Sequence, residues 1–393
     1  MMRDVFVLSA TRSPIGRFGG MLSLQGPATL AAPILRSALD QAAVSDQLVD
    51  LILMGHVLGG GHGQLVARQA AKHASIPDSV DAVGVDMVCS SGMMSLMMGA
   101  AFIQSGTSNL ILAGGVESMS QTGFALSSKA RWGYKYLSEP KEGVIDLLHK
   151  DGLSDPINGE SMGVQAERLA QKVQVSRQEL DEVAAESHAR AHSATLQGRF
   201  KAEITPIPTK KGILEQDEGI RPETTVEALS KLRPVFAQDG VLTAGNSSQI
   251  SDGSAAILLA SGEFVRSHGL QPIARILGHA WTAGIWERFV EAPIEASRRA
   301  LSTVGMQVSD IDLYENNEAF ALSTPLFARE LGIDPENLNV NGGAIALGHP
   351  IGCSGARITV TLIHALKAHG KSLGLAALCH GTGGGTALAL EML

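Results

Sequence analysis

The chain has 393 residues, long for one domain and suited to two or three. Charged residues make up 18% and apolar ones 45%, against roughly 25% charged in an average globular chain, which predicts a large core and a buried subunit interface. A formal net charge of −8, from 31 Lys plus Arg and 39 Asp plus Glu, argues against a general nucleic-acid binder.

Cys89, Cys353 and Cys379 are too few for a disulfide framework at this size. They read as reduced thiols and predict a cytoplasmic protein. Met1 to Gly16 alternates apolar and polar residues and lacks a signal-peptide pattern. No stretch reaches about 18 uninterrupted apolar residues, so no membrane span is predicted.

Val5 to Ala10 predicts a strand, ended by a Thr11-Arg12-Ser13-Pro14 loop. Leu30 to Ala42 has helical spacing, and Val49 to Gly55 reads as a buried strand. A Gly59–Gly63 loop leads to a helix over Val66–His73. Val83 to Val88 runs into Cys89-Ser90-Ser91-Gly92. Met93 to Gln104 follows, apolar on nearly every face, and must be a helix buried all round. Asn109 to Ala113 is the next strand. Strands alternating with helices argue a mainly parallel α/β sheet.

The character changes after Ser118. To about Gly245 the chain is richer in charge, Pro and isolated Gly, with Lys129, Arg131, Lys135, Lys141, Lys150, Lys210, Lys211 and Arg221. Ser176-Arg177-Gln178-Glu179 is a capping box that opens a helix to about Gln197. The segment reads as a mixed helix-and-loop insertion covering the sheet.

From Ile273 the α/β pattern restarts as a repeat. Val5–Leu8 matches Ala274–Leu277, Cys89–Met93 matches Gly352–Ala356, and Asn109–Gly115 matches Leu373–Cys379. The offsets are nearly constant, as a duplication requires. Matching glycine-rich turns from two such halves meet at one place, which is where a site is expected.

Cys89 stands where a strand meets a buried helix, and a thiol at a helix N-terminus is expected to have a lowered pKa. The bland alternative is an inert buried cysteine. His349 lies in Asn341 to Gly352, a glycine-rich run, and His is the usual base for a nucleophilic Cys. Cys379 to Gly385 reads as a tight hairpin; GxGxxG fails there because Thr386 takes the final Gly position. Cys379, His380, His349 and Cys353 lack CxxC or HxxxH spacing, so no metal site is expected. Asn317, after the strand Ile311 to Glu315, is either a helix cap or an orienter of water or an oxyanion.

With these residues assembled, the chain resembles the thiolases, the acetyl-CoA acetyltransferase and 3-ketoacyl-CoA thiolase family. The resemblance runs from Val5 to the last residues. It includes Gly63-Gln64 with Ala67 to Ala71, Gly114 to Ser120, Gly245 to Ser248 with Ser251 to Gly253, Asn317 to Phe320, and Gly342 to Gly355. It implies an α/β fold of two duplicated βαβαβαββ halves stacked as α-β-α-β-α layers with an inserted loop domain. The implied domains are 1–119 plus 246–268, the insertion 120–245, and 269–393.

The resemblance also implies roles. Cys89 is the nucleophile that carries the acyl group, and His349 activates it. Cys379 moves the α-proton. Asn317, through a water, and His349 form one oxyanion hole; the N–H groups of Cys89 and Gly381 form the other. Ser248, Arg221, Leu153, Ala244 and Phe236 line the CoA channel, with Met162, Ala319 and Phe320 also at the ligand. No tightly bound cofactor is implied; acetyl-CoA, CoA and 3-ketoacyl-CoA are substrates. The expected assembly is a homodimer or homotetramer.

The reaction implied is a Claisen condensation and its reverse in fatty acid metabolism, with acetoacetyl-CoA or short-chain 3-ketoacyl-CoA favoured. A longer-chain β-oxidation thiolase and a non-catalytic acyl-CoA binder are the alternatives. The sequence departs from the family pattern where His380 and Thr382 interrupt CxGGGxG, where Ser161 precedes Met162-Gly163, and over Trp286 to Pro293, one residue shorter. These positions neighbour the acyl channel in relatives and leave chain-length preference open.

Overall fold

The computed structural model describes residues 3–133 and 143–393; Lys135 and Lys141 lie outside the described residues. Among the described residues the principal sheet has ten strands. Nine follow one another in the order Leu313–Asn316, Leu373–His380, Gly384–Met392, Ala274–Ala283, Val5–Arg12, Ser251–Ser261, Leu110–Ser118, Leu51–Gly55 and Asp81–Val85. The short Gly16–Arg17 pairs beside Ser251–Ser261.

The two halves carry the same arrangement. In one, Leu51–Gly55 runs parallel to Leu110–Ser118, which is antiparallel to Ser251–Ser261. In the other, Leu313–Asn316 runs parallel to Leu373–His380, which is antiparallel to Gly384–Met392. The half-sheets join where Val5 faces Ile276 and Val7 faces Ala274. Val5 and Ala274 open the matched repeat segments, so the duplication read from the sequence is also structural.

The sheet is mixed, not mainly parallel as strand–helix alternation suggested. The last strand of each half returns antiparallel, after the insertion in one case and through the Gly381–Gly383 turn in the other. Periodicity reports burial and not strand direction. The first strand also runs through Arg12 rather than ending at Ala10, because pairing with Ser251–Ser261 continues to Ala255. Arg12 is fully buried there, with Nε 2.6 Å from Glu203 Oε1 and Nη1 2.7 Å from Asp217 Oδ1. A buried guanidinium persists only when so paired; the pairing ties the insertion to the sheet.

Helices Ser91–Gln104 and Ser354–His369 pack together between the half-sheets. Pro27–Ala42 and Val66–His73 cover one outer face, and Ala292–Ser302 the other. Apolar residues all round Ser91–Gln104 therefore meet a strand layer or its partner helix: Met93, Leu96, Met97 and Ala100 share one buried cluster with Ala356 and Leu362. The two helix starts touch through backbone. A Cβ on Gly355 would lie 2.4 Å from Met93 N, and one on Gly92 would lie 2.9 Å from Ala356 N. Only glycine fits at either crossing.

Between Ser118 and Ser251 the chain leaves the sheet. It forms helices Met162–Val173 and Arg177–Leu196 and the hairpin Ile207–Thr209 with Gly212–Leu214. Ser176 Oγ accepts the Glu179 N–H at 3.1 Å, the N-cap half of the capping box that the sequence indicated. No helix among the described residues is long and apolar enough to cross a membrane.

Candidate active site

The crossing of the two central helices lies beneath a cavity of about 430 Å³. Cys89 and His349, one from each half, both line it. Gly381, Ser248 and Leu153 line it too, as do Met162, Ala319 and Phe320.

Cys89 follows a turn in which Val88 adopts φ +50°, a conformation costly for a β-branched residue. Val88 N–H donates to Asp86 Oδ1 at 3.0 Å, and Met87 N–H to Ser91 Oγ at 2.8 Å, which together hold the turn. The N–H groups of Gly381 and of Cys89 itself are directed at Sγ. They do not produce a lowered pKa. Burial pushes the Cys89 thiol up to about 12, and the Glu117 and Asp86 charges add to the shift. The expectation of a helix-stabilised thiolate is corrected: loss of water outweighs the helix terminus here, because the accessible face of Cys89 opens into the cavity and not into bulk solvent. At rest Cys89 is a neutral thiol, which can act as a nucleophile only with a base.

His349 can be that base. Gly348 ahead of it has φ +112°, and a Cβ there would lie 2.2 Å from Ser251 Oγ, so the turn that delivers the imidazole requires glycine. Burial first, and the Arg357 charge second, push the imidazole down to about 3, so it is neutral at physiological pH. Its Nδ1 lies 2.6 Å from Ser354 Oγ and 3.3 Å from Asn317 Nδ2, while Nε2 has no partner.

Cys379 is the last residue but one of the strand Leu373–His380; it is buried, does not line the cavity, and is close enough to Cys89 for the two thiols to influence each other's ionisation. Burial, then Cys89, raises its pKa. The hairpin reading of Cys379–Gly385 is correct, since Cys379 faces Gly385 across the ladder. Its turn is also functional in position, because Gly381 and Thr382 line the cavity.

Asn317 does not line the cavity. Its Oδ1 accepts from Arg357 Nη2 at 3.3 Å, and its Nδ2 lies 3.3 Å from His349 Nδ1, beside the imidazole. Arg221, Ala244 and Phe236 are also outside the lining. Arg221 gives its backbone N–H to His188 Nδ1 at 3.1 Å, and Ala244 is exposed. Phe236 stands behind the wall, edge-on to Phe320 with centroids 5.9 Å apart. Of the basic residues named in the insertion, Lys150 lines the cavity.

Sequence reasoning missed Phe289, which lines the cavity, and Ser354, which holds His349. The repeat carried a signal for Ser354, as it matches Ser91, two residues after Cys89. It also left Glu117 without a role. That buried carboxylate accepts N–H groups of Val57, Leu58 and Gly352 at 3.1, 3.2 and 2.9 Å, joining the loops on both sides of the cavity.

A neutral thiol, a neutral imidazole with a free nitrogen and two N–H groups at one sulfur form a site for acyl transfer through a thioester. Family models agree. The thiolase N-terminal domain matches residues 5–263 and the thiolase C-terminal domain residues 270–392. The chain belongs to the thiolase family, a class of acyltransferases. It is 59% identical to an acetyl-CoA acetyltransferase of Synechocystis, over 99% of this chain and all of that one. Among solved structures, a Bacillus anthracis acetyl-CoA acetyltransferase superposes with a TM-score of 0.96 at 41% identity, covering 100% of this chain and 99% of that one. The Acat5 thiolase of Ascaris suum, solved with coenzyme A, gives 0.94 at 38% identity with both chains fully covered.

Proposed function

We propose that this enzyme is an acetyl-CoA C-acyltransferase acting on acetoacetyl-CoA or short-chain 3-ketoacyl-CoA, with acyl-Cys89 as its intermediate. The observation that carries this reading is the convergence of Cys89, His349 and the Gly381 N–H on one cavity. His349 Nε2 takes the Cys89 proton as Sγ attacks the thioester carbonyl. The N–H groups of Cys89 and Gly381 receive the oxyanion, and the departing CoA thiolate takes the proton back from His349.

In condensation, His349 Nε2 first takes the Cys379 proton; the Cys379 thiolate then takes the α-proton of a second acetyl-CoA, whose enolate oxygen accepts the imidazolium Nε2–H. The enolate carbon attacks acyl-Cys89 and expels its sulfur, which takes the proton from His349. Thiolysis is the reverse. A site that excludes water strengthens each of these contacts. Lys150 supports CoA binding through its charge.

Walls formed by Met162, Phe289 and Phe320, with Phe236 behind, support a short acyl group. The name of the Synechocystis relative points the same way. We also read the active form as a homodimer or homotetramer. The strand Asp81–Val85 ends the sheet with Val83 39% exposed, an edge that a second copy would cover.

A thiolysis assay across acyl lengths, following loss of the 3-ketoacyl-CoA enolate absorbance, tests the substrate reading. The highest kcat/KM is expected with acetoacetyl-CoA. A maximum at long chains would make the enzyme a β-oxidation thiolase, and no turnover at any length would leave a binder.

A further inference from the structure

The walls of the cavity come from separate parts of the chain. The insertion supplies Asp151 to Ser154 and Pro156; the turn Trp286–Glu291 supplies Phe289, whose ring meets Phe320 edge-on at 6.4 Å. Asp155 sits in the insertion loop, 1% exposed. Its Oδ1 accepts the N–H groups of Ile157 at 2.8 Å and Asn158 at 3.1 Å. Its Oδ2 accepts Gln165 Nε2–H at 2.6 Å and the indole N–H of Trp286. Hydrogen bonds to an ionised carboxylate are among the stronger ones in proteins.

Ile157, Asn158 and Gln165 belong to the insertion; Trp286 belongs to the C-terminal half. The backbone of Trp286 in turn rests on the glycine turn beside Cys379. A Cβ on Gly383 would lie 2.6 Å from Trp286 Cα, and Gly284 N–H donates to Gly383 O at 2.8 Å. One indole therefore connects the insertion loop, the Phe289 turn and the Gly381–Gly383 turn.

We propose that the Asp155–Trp286 hydrogen bond is a specificity latch: it holds the insertion loop against the Phe289 wall and limits the length of 3-ketoacyl chain that the cavity admits. The proposal rests on the short-chain reading above. Both are positioning residues, since neither lines the cavity. Without the indole donor, the loop keeps its three internal N–H donors and its fold, but loses the tie across the cavity. The walls then separate to admit further methylenes.

Trp286→Phe removes the N–H and keeps the ring, and Trp286→Ala removes both. Asp155→Asn weakens the acceptor and leaves the indole in place. Thiolysis kcat/KM is measured for acetoacetyl-CoA and 3-ketooctanoyl-CoA in the full-length enzyme and each variant. The ratio of the longer to the shorter substrate should rise about tenfold in Trp286→Phe, within the range that hydrophobic pockets discriminate by length. The gain should appear in KM for the longer substrate, with kcat on acetoacetyl-CoA within about twofold of the parent. Asp155→Asn should move the ratio in the same direction. A ratio that is unchanged or lower in Trp286→Phe, or that falls in Asp155→Asn, overturns the latch. A parent enzyme that already prefers 3-ketooctanoyl-CoA sinks the short-chain reading instead, while the latch is still judged by each variant against the parent.

Discussion

Ser354 Oγ lies 2.6 Å from His349 Nδ1 and 2.9 Å from Pro350 O. A hydroxyl has one proton, and a carbonyl can only accept. With that proton on Pro350 O, Ser354 must accept from His349 Nδ1–H, which leaves Nε2 as the lone pair available to Cys89. Ser354→Ala should therefore lower kcat by about tenfold or more, a typical share of a positioned base, with KM for the acyl-CoA donor little changed. Steady-state kinetics check this; a rise in KM at constant kcat would assign Ser354 to substrate binding.

His349 also shapes acid stability. It is pushed from 6.5 down to about 3 in the folded enzyme, so its contribution is fully present above pH 6.5 and is lost as pH falls toward about 3. Between pH 7 and 5 the unfolded chain takes up a proton at this residue and the folded chain does not, which costs about 2 kcal/mol of stability. Urea titrations of His349→Gln should show a correspondingly smaller loss over that interval. An equal loss in both proteins would mean that the imidazole charges without penalty in the folded state.

The proposed mechanism gives Cys89 and Cys379 different work. Cys379→Ala should still accept an acyl group from an acyl-CoA, seen as a mass adduct on the Cys89 peptide, yet fail to exchange α-protons of a bound thioester. Cys89→Ala should lose the adduct altogether. Residual turnover about 10²–10⁴-fold below the parent is compatible with loss of an acid–base group. Acylation abolished in Cys379→Ala with exchange intact would reverse the assignment.

The helix crossing sets a stability limit. Gly355→Ala places a Cβ 2.4 Å from Met93 N, a backbone atom that can yield only by moving the helix. Overpacking of this kind costs about 1–3 kcal/mol or more, and the same displacement disturbs Cys89, two residues before Ser91. Gly370→Ala, where nothing lies within 4 Å but φ is +61°, serves as a control for backbone strain alone. Thermal melts and activity should both fall further in Gly355→Ala than in Gly370→Ala.

Local composition and spacing determined much of this protein. The all-apolar run after Cys89 required burial on every side, the matched glycine turns required two halves to meet, and Cys89 and His349 stood out as candidates for chemistry, while the role of Cys379 came only with the family resemblance. What the sequence could not decide was everything that depends on where water goes and which distant groups come together. Strand direction was misread because burial periodicity is the same for parallel and antiparallel neighbours. The Cys89 thiol was misread because a helix start is visible in sequence, whereas the desolvation that overrides it comes from loops hundreds of residues away. Ser354 on His349, Arg357 on Asn317 and Asp155 on Trp286 are likewise tertiary: each is an ordinary polar residue until folding removes its water and leaves one partner to satisfy it.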